Sequence, residues 1–105
     1  MKTDKILTYL GLAAAKRSTV PGTDLVLSEI RKKKGTICVL LASDASERTK
    51  KQITDKCTFY NIPLIHPDCD MYTLGKRIGK SSPAACVAVT DRSLASQIII
   101  NAGDE

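Results

Sequence analysis

The chain has 105 residues, and its 16 Lys and Arg against 11 Asp and Glu give a net charge of +5. This length is near the commonest domain size, so we expect a single domain over residues 1–105 with its own core. Clustered hydrophobic residues, 43% of the total, exclude a disordered chain. No apolar run reaches the ~20 residues of a membrane span, and polar residues interrupt any signal-like N-terminus. We therefore expect a cytoplasmic protein without membrane contact.

The first third of the chain predicts two helices around a short strand. In residues 4–16, Ile6, Leu7 and Leu10 recur at the three- to four-residue spacing of a helix face. Residues 18–21 are long enough only for an edge strand, because Pro21 cannot donate to a ladder. A second helix is expected from Gly22 and Thr23 to a basic run at residues 31–34, with Gly35 beyond it.

Residues 37–42 form an unbroken apolar run, which is typical of a strand covered on both faces. The run leads into a third helix over residues 46–60. Two caps are possible at its start: Asp44, which forms a near capping box with Glu47, or Ser46. A buried strand followed by a capped helix is half of a βαβ unit.

The rest of the chain repeats this alternation. We expect a strand at residues 64–66, a helix at residues 71–78 capped from the loop that holds Asp68 and Asp70, and an apolar strand at residues 84–89. A final helix begins after its cap, Asp91, and residues 103–105 should fray. The order α-β-α-β-α-β-α-β-α predicts an α/β fold, a three-layer α/β/α sandwich with a central, mostly parallel four-stranded sheet.

Several catalytic and metal-binding chemistries are poorly supported. The four cysteines make no C-x-x-C pair, so we expect free thiols and no zinc site. The stretch from Gly75 to Ser81 has three residues between its glycines where a phosphate-binding loop needs four. His66 is the only histidine, and it fits the end of a strand better than a catalytic base. We expect no enzyme activity, no metal and no cofactor.

The basic charge, with a pI near 9.1, favours a polyanion such as RNA or DNA as partner. A merely soluble surface is the alternative, and charge alone does not separate the two.

Three segments together resemble the L7Ae/L30e family of ribosomal and RNA-binding proteins, and within it the small bacterial YlxQ-like members. The segments are G-T-D-L-V-L-S at residues 22–28, V-L-L-A-S-D-A-S at residues 39–46, and L-G-K-R-I-G at residues 74–79 continuing through P-A-A-C-V-A-V at residues 83–89. The resemblance covers about residues 5–99. It implies the same α/β/α sandwich, and structured RNA, ribosomal or kink-turn-like, as the partner, without DNA.

The resemblance also implies an RNA-binding surface with two parts. One is the start of the second helix, where a glycine lets an RNA backbone approach and free N–H groups suit phosphates. The other is the loop before the last strand, where small side chains pack against splayed bases. Cations at the end of the preceding helix would add phosphate contacts. The predicted RNA-binding residues, of which Lys76 and Arg77 are included for their charge and the others by the resemblance, are Gly22, Thr23, Asp24, Leu25, Ser28, Lys76, Arg77, Lys80, Ser81, Ser82, Pro83 and Ala84.

The helix start departs from the pattern of kink-turn binders, which carry an Asn-Glu pair and a lysine three residues later. This chain has Asp24, Leu25 and Ser28 there, and each lost polar contact is worth ~1–3 kcal/mol. We therefore expect RNA binding with weakened kink-turn recognition. The alternative is a protein-interaction module on the same fold, in which Leu25 anchors a ribosomal or other protein.

Overall fold

The computed structural model describes residues 1–32 and 35–103, in which five helices alternate with four strands in the predicted order. The elements are α1 Thr3–Ala15, β1 Thr19–Pro21, α2 Thr23–Arg31, β2 Cys38–Leu41, α3 Glu47–Phe59, β3 Leu64–Ile65, α4 Met71–Arg77, β4 Cys86–Val89 and α5 Arg92–Gly103.

The helices cover both faces of the sheet. Alternate residues of β2 point to opposite sides: Cys38 and Leu40 pack with α1, α4 and α5, whereas Val39 and Leu41 pack with α2 and α3. All four residues of β2 and all four of β4 are buried. The predicted three-layer α/β/α sandwich is confirmed.

The sheet is mostly antiparallel, so the prediction of a mostly parallel sheet is wrong. The strand order is β1-β4-β2-β3. The central strand β4 runs antiparallel to both of its neighbours, and only β2 and β3 are parallel.

The connection through α4 explains this direction. The helix has only seven residues, about 10 Å of length, and its first turn is tied to the carboxyl end of β2. There the Met71 N–H donates to Asp44 Oδ1 (2.8 Å), and both the N–H and the hydroxyl of Ser43 donate to the carbonyl of Cys69 (2.9 Å each). Strand β4 therefore begins at the end of the sheet where β2 and β3 finish, and it runs antiparallel to β2.

Local caps define most of the helix starts. Ser46, not Asp44, caps α3 by accepting from the Thr49 N–H. Asp70 caps α4 by accepting from the Thr73 N–H at 2.7 Å, which lowers the pKa of its carboxyl. The predicted cap by Asp91 is confirmed by the 2.8 Å bond from the Leu94 N–H.

The C-terminal ends of α2 and α5 border the residues that the structure does not describe. Helix α2 ends at Arg31 with Lys32 as its C-cap, and Lys33 and Lys34 lie outside the described residues. Gly103 belongs to α5 and is not frayed, while Asp104 and Glu105 also lie outside. Within the described ranges, every helix is too short or too polar to cross a bilayer.

The four cysteines are free and buried, which makes thiol reactivity a test of the core. Burial raises the pKa of Cys38 to about 12 and the pKa values of Cys57 and Cys86 to about 11. Because the thiolate is the reactive form, we expect native protein at pH 8 to react slowly with a thiol reagent and denatured protein to react at all four sites. Rapid labelling of two or more thiols in native protein would contradict this packing.

Candidate functional site

The first turn of α2 begins at a glycine in a conformation that other residues rarely adopt. Gly22 is the N-cap, with φ 94° and ψ 148°, and no side chain caps the helix. The Val26 N–H bonds to the Gly22 carbonyl, so the N–H groups of the preceding three residues have no carbonyl partner within the helix. This helix tip can therefore donate to an anion.

The pairing of β1 with β4 brings the loop at residues 80–84 to this helix tip. Pro21 is paired with Val87 in the antiparallel ladder, and the Gly22 N–H extends it by donating to the Cys86 carbonyl at 2.9 Å. Pro83 is three residues before Cys86, a reach of at most ~11 Å. The two predicted parts of the surface thus adjoin, and we call the α2 tip (residues 22–28) with the loop (residues 80–84) the candidate surface.

The loop is held against α4 at a glycine. A Cβ on Gly75 would overlap the Ser82 carbonyl oxygen and lie 3.1 Å from the Ala84 nitrogen. The Ala84 N–H also donates to the Met71 carbonyl at 3.0 Å. Only glycine leaves room for the backbone of residues 82–84 to lie directly on the helix.

A second glycine turns the chain from α4 into the loop. Gly79 has φ 83° and donates to the Lys76 carbonyl, and the Lys80 N–H donates to the Gly75 carbonyl at 2.9 Å. These two bonds form a Schellman motif, which needs a left-handed residue just past the helix. The local backbone therefore explains both glycines: Gly75 leaves room for the loop, and Gly79 adopts the left-handed conformation that ends the helix.

The α2 tip presents three of its predicted contact residues to solvent. Asp24 and Ser28 are exposed, and Leu25 is 59% exposed although it is a large apolar residue. Thr23 is half-buried: burial raises the pKa of Cys86, and a hydrogen bond from Thr23 offsets part of that rise. Thr23 thus secures the helix to β4.

Within the loop, only part of the predicted set is accessible. Ser81, Ser82 and Pro83 are exposed, and Lys80 is half-buried. Ala84 is 1% exposed, so its side chain belongs to the core and its backbone positions the loop.

The cations near the loop lack the carboxylate partners that several other lysines in the described part of the chain have. Lys32, Lys50 and Lys51 each lie 3.3–3.5 Å from a carboxylate on their own helix, and Lys16 pairs with Asp91. Within residues 1–32 and 35–103, no carboxylate lies within 4.0 Å of the charged groups of Lys76, Arg77 and Lys80. The stem of Arg77 lies beside Gly11 of α1, so Arg77 faces away from the loop.

One residue beside this surface, Tyr72, is absent from the sequence-based prediction. Tyr72 on α4 is 61% exposed, and the Lys76 ammonium lies 5.9 Å from the centre of its ring. Met71, Leu74 and Ile78 account for the inner face of α4, and this spacing already leaves Tyr72 outside the core. No metal-binding cluster of His, Cys, Asp or Glu occurs in the described residues.

Known proteins share both the sequence pattern and the fold. Residues 4–99 match the ribosomal protein L7Ae/L30e/S12e/Gadd45 family. The chain belongs to this family. The "RNA-binding protein YlxQ" of Bacillus subtilis (strain 168) is 43% identical over 90 residues, which cover 86% of this chain and 87% of the relative. A protein of the same name from Enterococcus faecium is 39% identical over 59 residues, 56% of each chain.

Solved structures of similar fold include a Bacillus halodurans protein of unknown function, with a TM-score of 0.78 and 35% identity over 90% of this chain and 96% of that one. The Giardia lamblia 15.5kD RNA binding protein has a TM-score of 0.79 with 16% identity, over 94% of this chain and 82% of its own. At that identity the second match concerns the fold alone.

Replacing Gly75 by alanine tests how the loop is held. We expect Gly75→Ala to lower the free energy of unfolding by about 1–3 kcal/mol, because the new methyl group overlaps the backbone of residues 82–84. Gly11→Ala in α1 is the matched control: its Cβ would lie at ordinary contact distance, 3.5 Å from Arg77. The control should gain about 0.5–1 kcal/mol. Equal stability of the two variants in urea unfolding would contradict this packing.

Proposed function

We propose that this chain is a non-enzymatic RNA-binding protein that holds a structured RNA, ribosomal or kink-turn-like, on the candidate surface. The observation that carries the proposal is the bond from Gly22 to Cys86, because it joins a donor-rich helix tip to an exposed loop. The name of the Bacillus subtilis relative, similar along most of the chain, supports the same function. Such a role would place the protein in the cytoplasm, with ribosomal or other proteins as further partners.

The chemistry of the surface suits RNA in three ways. Free N–H groups at the α2 tip can donate to a phosphate, and Gly22 has no side chain to keep an RNA backbone away. Ser81, Ser82 and Pro83 offer small side chains to bases that leave the helical stack. Lys76 and Lys80 supply positive charge that no described carboxylate neutralises.

Salt dependence tests the contribution of these cations. Each phosphate contact that is lost should reduce the slope of log affinity against log salt by about 1. We expect Lys76→Gln and Lys80→Gln to show such reductions in filter binding to ribosomal RNA. Lys51→Gln is the control, since Lys51 already pairs with Asp55 on α3, and its slope should match that of the unchanged protein. Affinity that stays constant from low to moderate salt would refute the proposal.

The α2 tip should decide whether kink-turns are recognised. Leu25 makes no hydrogen bond through its side chain, and Ser28 is short and uncharged. We expect the double change Leu25→Glu, Ser28→Lys to raise affinity for a kink-turn RNA at least tenfold, since hydrogen bonds to charged groups contribute about 1.5–3 kcal/mol each. The measurement is a titration of labelled kink-turn RNA with both proteins.

The same titration separates RNA binding from a protein-interaction role, which the exposed Leu25 favours. If only the double variant binds RNA of either kind, the natural chain serves as a protein-interaction module. If the natural chain binds the kink-turn as tightly as the variant does, the expected weakness of its α2 tip is wrong.

A further inference from the structure

Tyr72 is an aromatic side chain left in solvent beside the candidate surface. The chain has only three Tyr and one Phe, and Tyr9 and Tyr60 are both half-buried. Phe59, the other exposed ring, is packed edge-on against Tyr60 with a centroid distance of 4.9 Å. The ring of Tyr72 instead keeps most of its surface in water even with the Lys76 ammonium 5.9 Å from its centre.

The geometry of α4 places this ring on the loop side of the helix. Residues three and four apart are neighbours on a helix surface, so Tyr72 adjoins both Gly75 and Lys76. Gly75 is the residue on which the backbone of residues 82–84 lies. Arg77 projects the other way, toward Gly11. An RNA strand that runs from the α2 tip across the loop would therefore reach Tyr72 next.

We propose that Tyr72 and Lys76 form a nucleotide-binding shelf, in which an unstacked base of the bound RNA lies on the Tyr72 ring and an adjacent phosphate contacts Lys76. This inference rests on the proposed RNA-binding function and extends its surface along α4. Aromatic rings serve as stacking platforms for bases released from a helix. The Lys76 ammonium has three donors, so it can contact a phosphate while it stays near the ring.

The surroundings of the ring favour a nucleotide over an apolar protein segment. The depression on the solvent-facing side of α4 extends from Tyr72 and Lys76 to Thr73 and Arg77, and these residues supply one ring, one hydroxyl and two cations. A protein hot spot is instead a desolvated pocket. Asp44 and Asp70 accept backbone N–H bonds at the first turn of α4, and Asp68 precedes that turn in sequence. The charged side chains that line the shelf itself are cations, as a phosphate requires.

Stacking on a tyrosine does not depend on the hydrogen-bonding edges of the base. Every base has a π-face, so every base can stack. The shelf should accept any base, with a preference for the purines that stack more strongly. It contributes affinity at a point next to the loop without defining a sequence.

A fluorescent variant tests the shelf directly. The chain has no tryptophan, so Tyr72→Trp introduces a single reporter. Phe59→Trp is the matched control, because Phe59 is 75% exposed and ends α3 at the opposite end of the sheet. We expect oligoadenylate to quench Trp fluorescence in the Tyr72 variant, an abasic ribose-phosphate oligomer of equal length to quench it far less, and neither to affect the control.

A second test of the shelf measures the affinity of Tyr72 variants for ribosomal RNA. Tyr72→Leu keeps an apolar side chain but removes the stacking ring, and it should weaken binding about fivefold or more. Tyr72→Phe keeps the ring and should restore most of the affinity. Circular dichroism of each variant verifies the fold.

The outcomes separate the two proposals. Quenching that the abasic oligomer reproduces, or unchanged affinity of Tyr72→Leu, overturns the shelf while RNA binding stands. Failure of the unchanged protein to bind ribosomal RNA at low salt overturns the proposed function itself. Quenching by oligoadenylate alone, together with rescue by phenylalanine, supports the shelf.

Discussion

The antiparallel pairing of β1 with β4 is the constraint on which the candidate surface depends. In an antiparallel pair, the end of one strand lies beside the start of the other. Helix α2 follows β1 directly and the loop at residues 80–84 precedes β4, so the helix tip and the loop must adjoin. Had the two strands been parallel, as the sequence analysis expected of most of the sheet, Gly22 and Pro83 would lie at opposite ends of it. The correction to the sheet is therefore what makes the functional prediction physically consistent.

Gly75 in α4 and Gly79 just beyond it shape the loop, and helix propensity is given up at Gly75 to do so. A glycine inside a helix costs roughly 0.5–1 kcal/mol relative to alanine, and Gly75 is buried within α4. The space that its missing side chain leaves is filled by the backbone of residues 82–84. Gly79 then reverses the chain at φ 83°. The loop is consequently fixed by the main chain, and the exposed side chains of Ser81, Ser82 and Pro83 remain free for contacts.

Much of the fold could be predicted because it depends on interactions between residues that are close in sequence. Apolar spacing identified the helices and the buried strands, and the cap at Asp91 follows from a short polar side chain before an apolar run. Strand direction could not be predicted in the same way, since a strand buried on both faces gives the same apolar run in either direction. The role of Asp44 could not be predicted either, because its hydrogen-bond partner, the Met71 N–H, is 27 residues away in sequence. The candidate surface was predicted from a resemblance, whereas the exposure of Tyr72 follows from helix spacing once the inner residues of α4 are assigned.

The position of the cations on α4 connects folding with binding. Lys76 and Arg77 lie in the last turn of the helix, where positive charge is favoured by the helix dipole, and Asp70 at the first turn complements the other end. This arrangement would arise for helix stability alone, so the presence of the cations does not by itself indicate a binding site. The dipole effect is small, however, about 0.3–1 kcal/mol for an exposed charge, and it needs no carboxylate partner. Lys76 can thus stabilise α4 in the free protein and contact a phosphate beside the loop, and neutralising it should affect the proposed binding far more than folding.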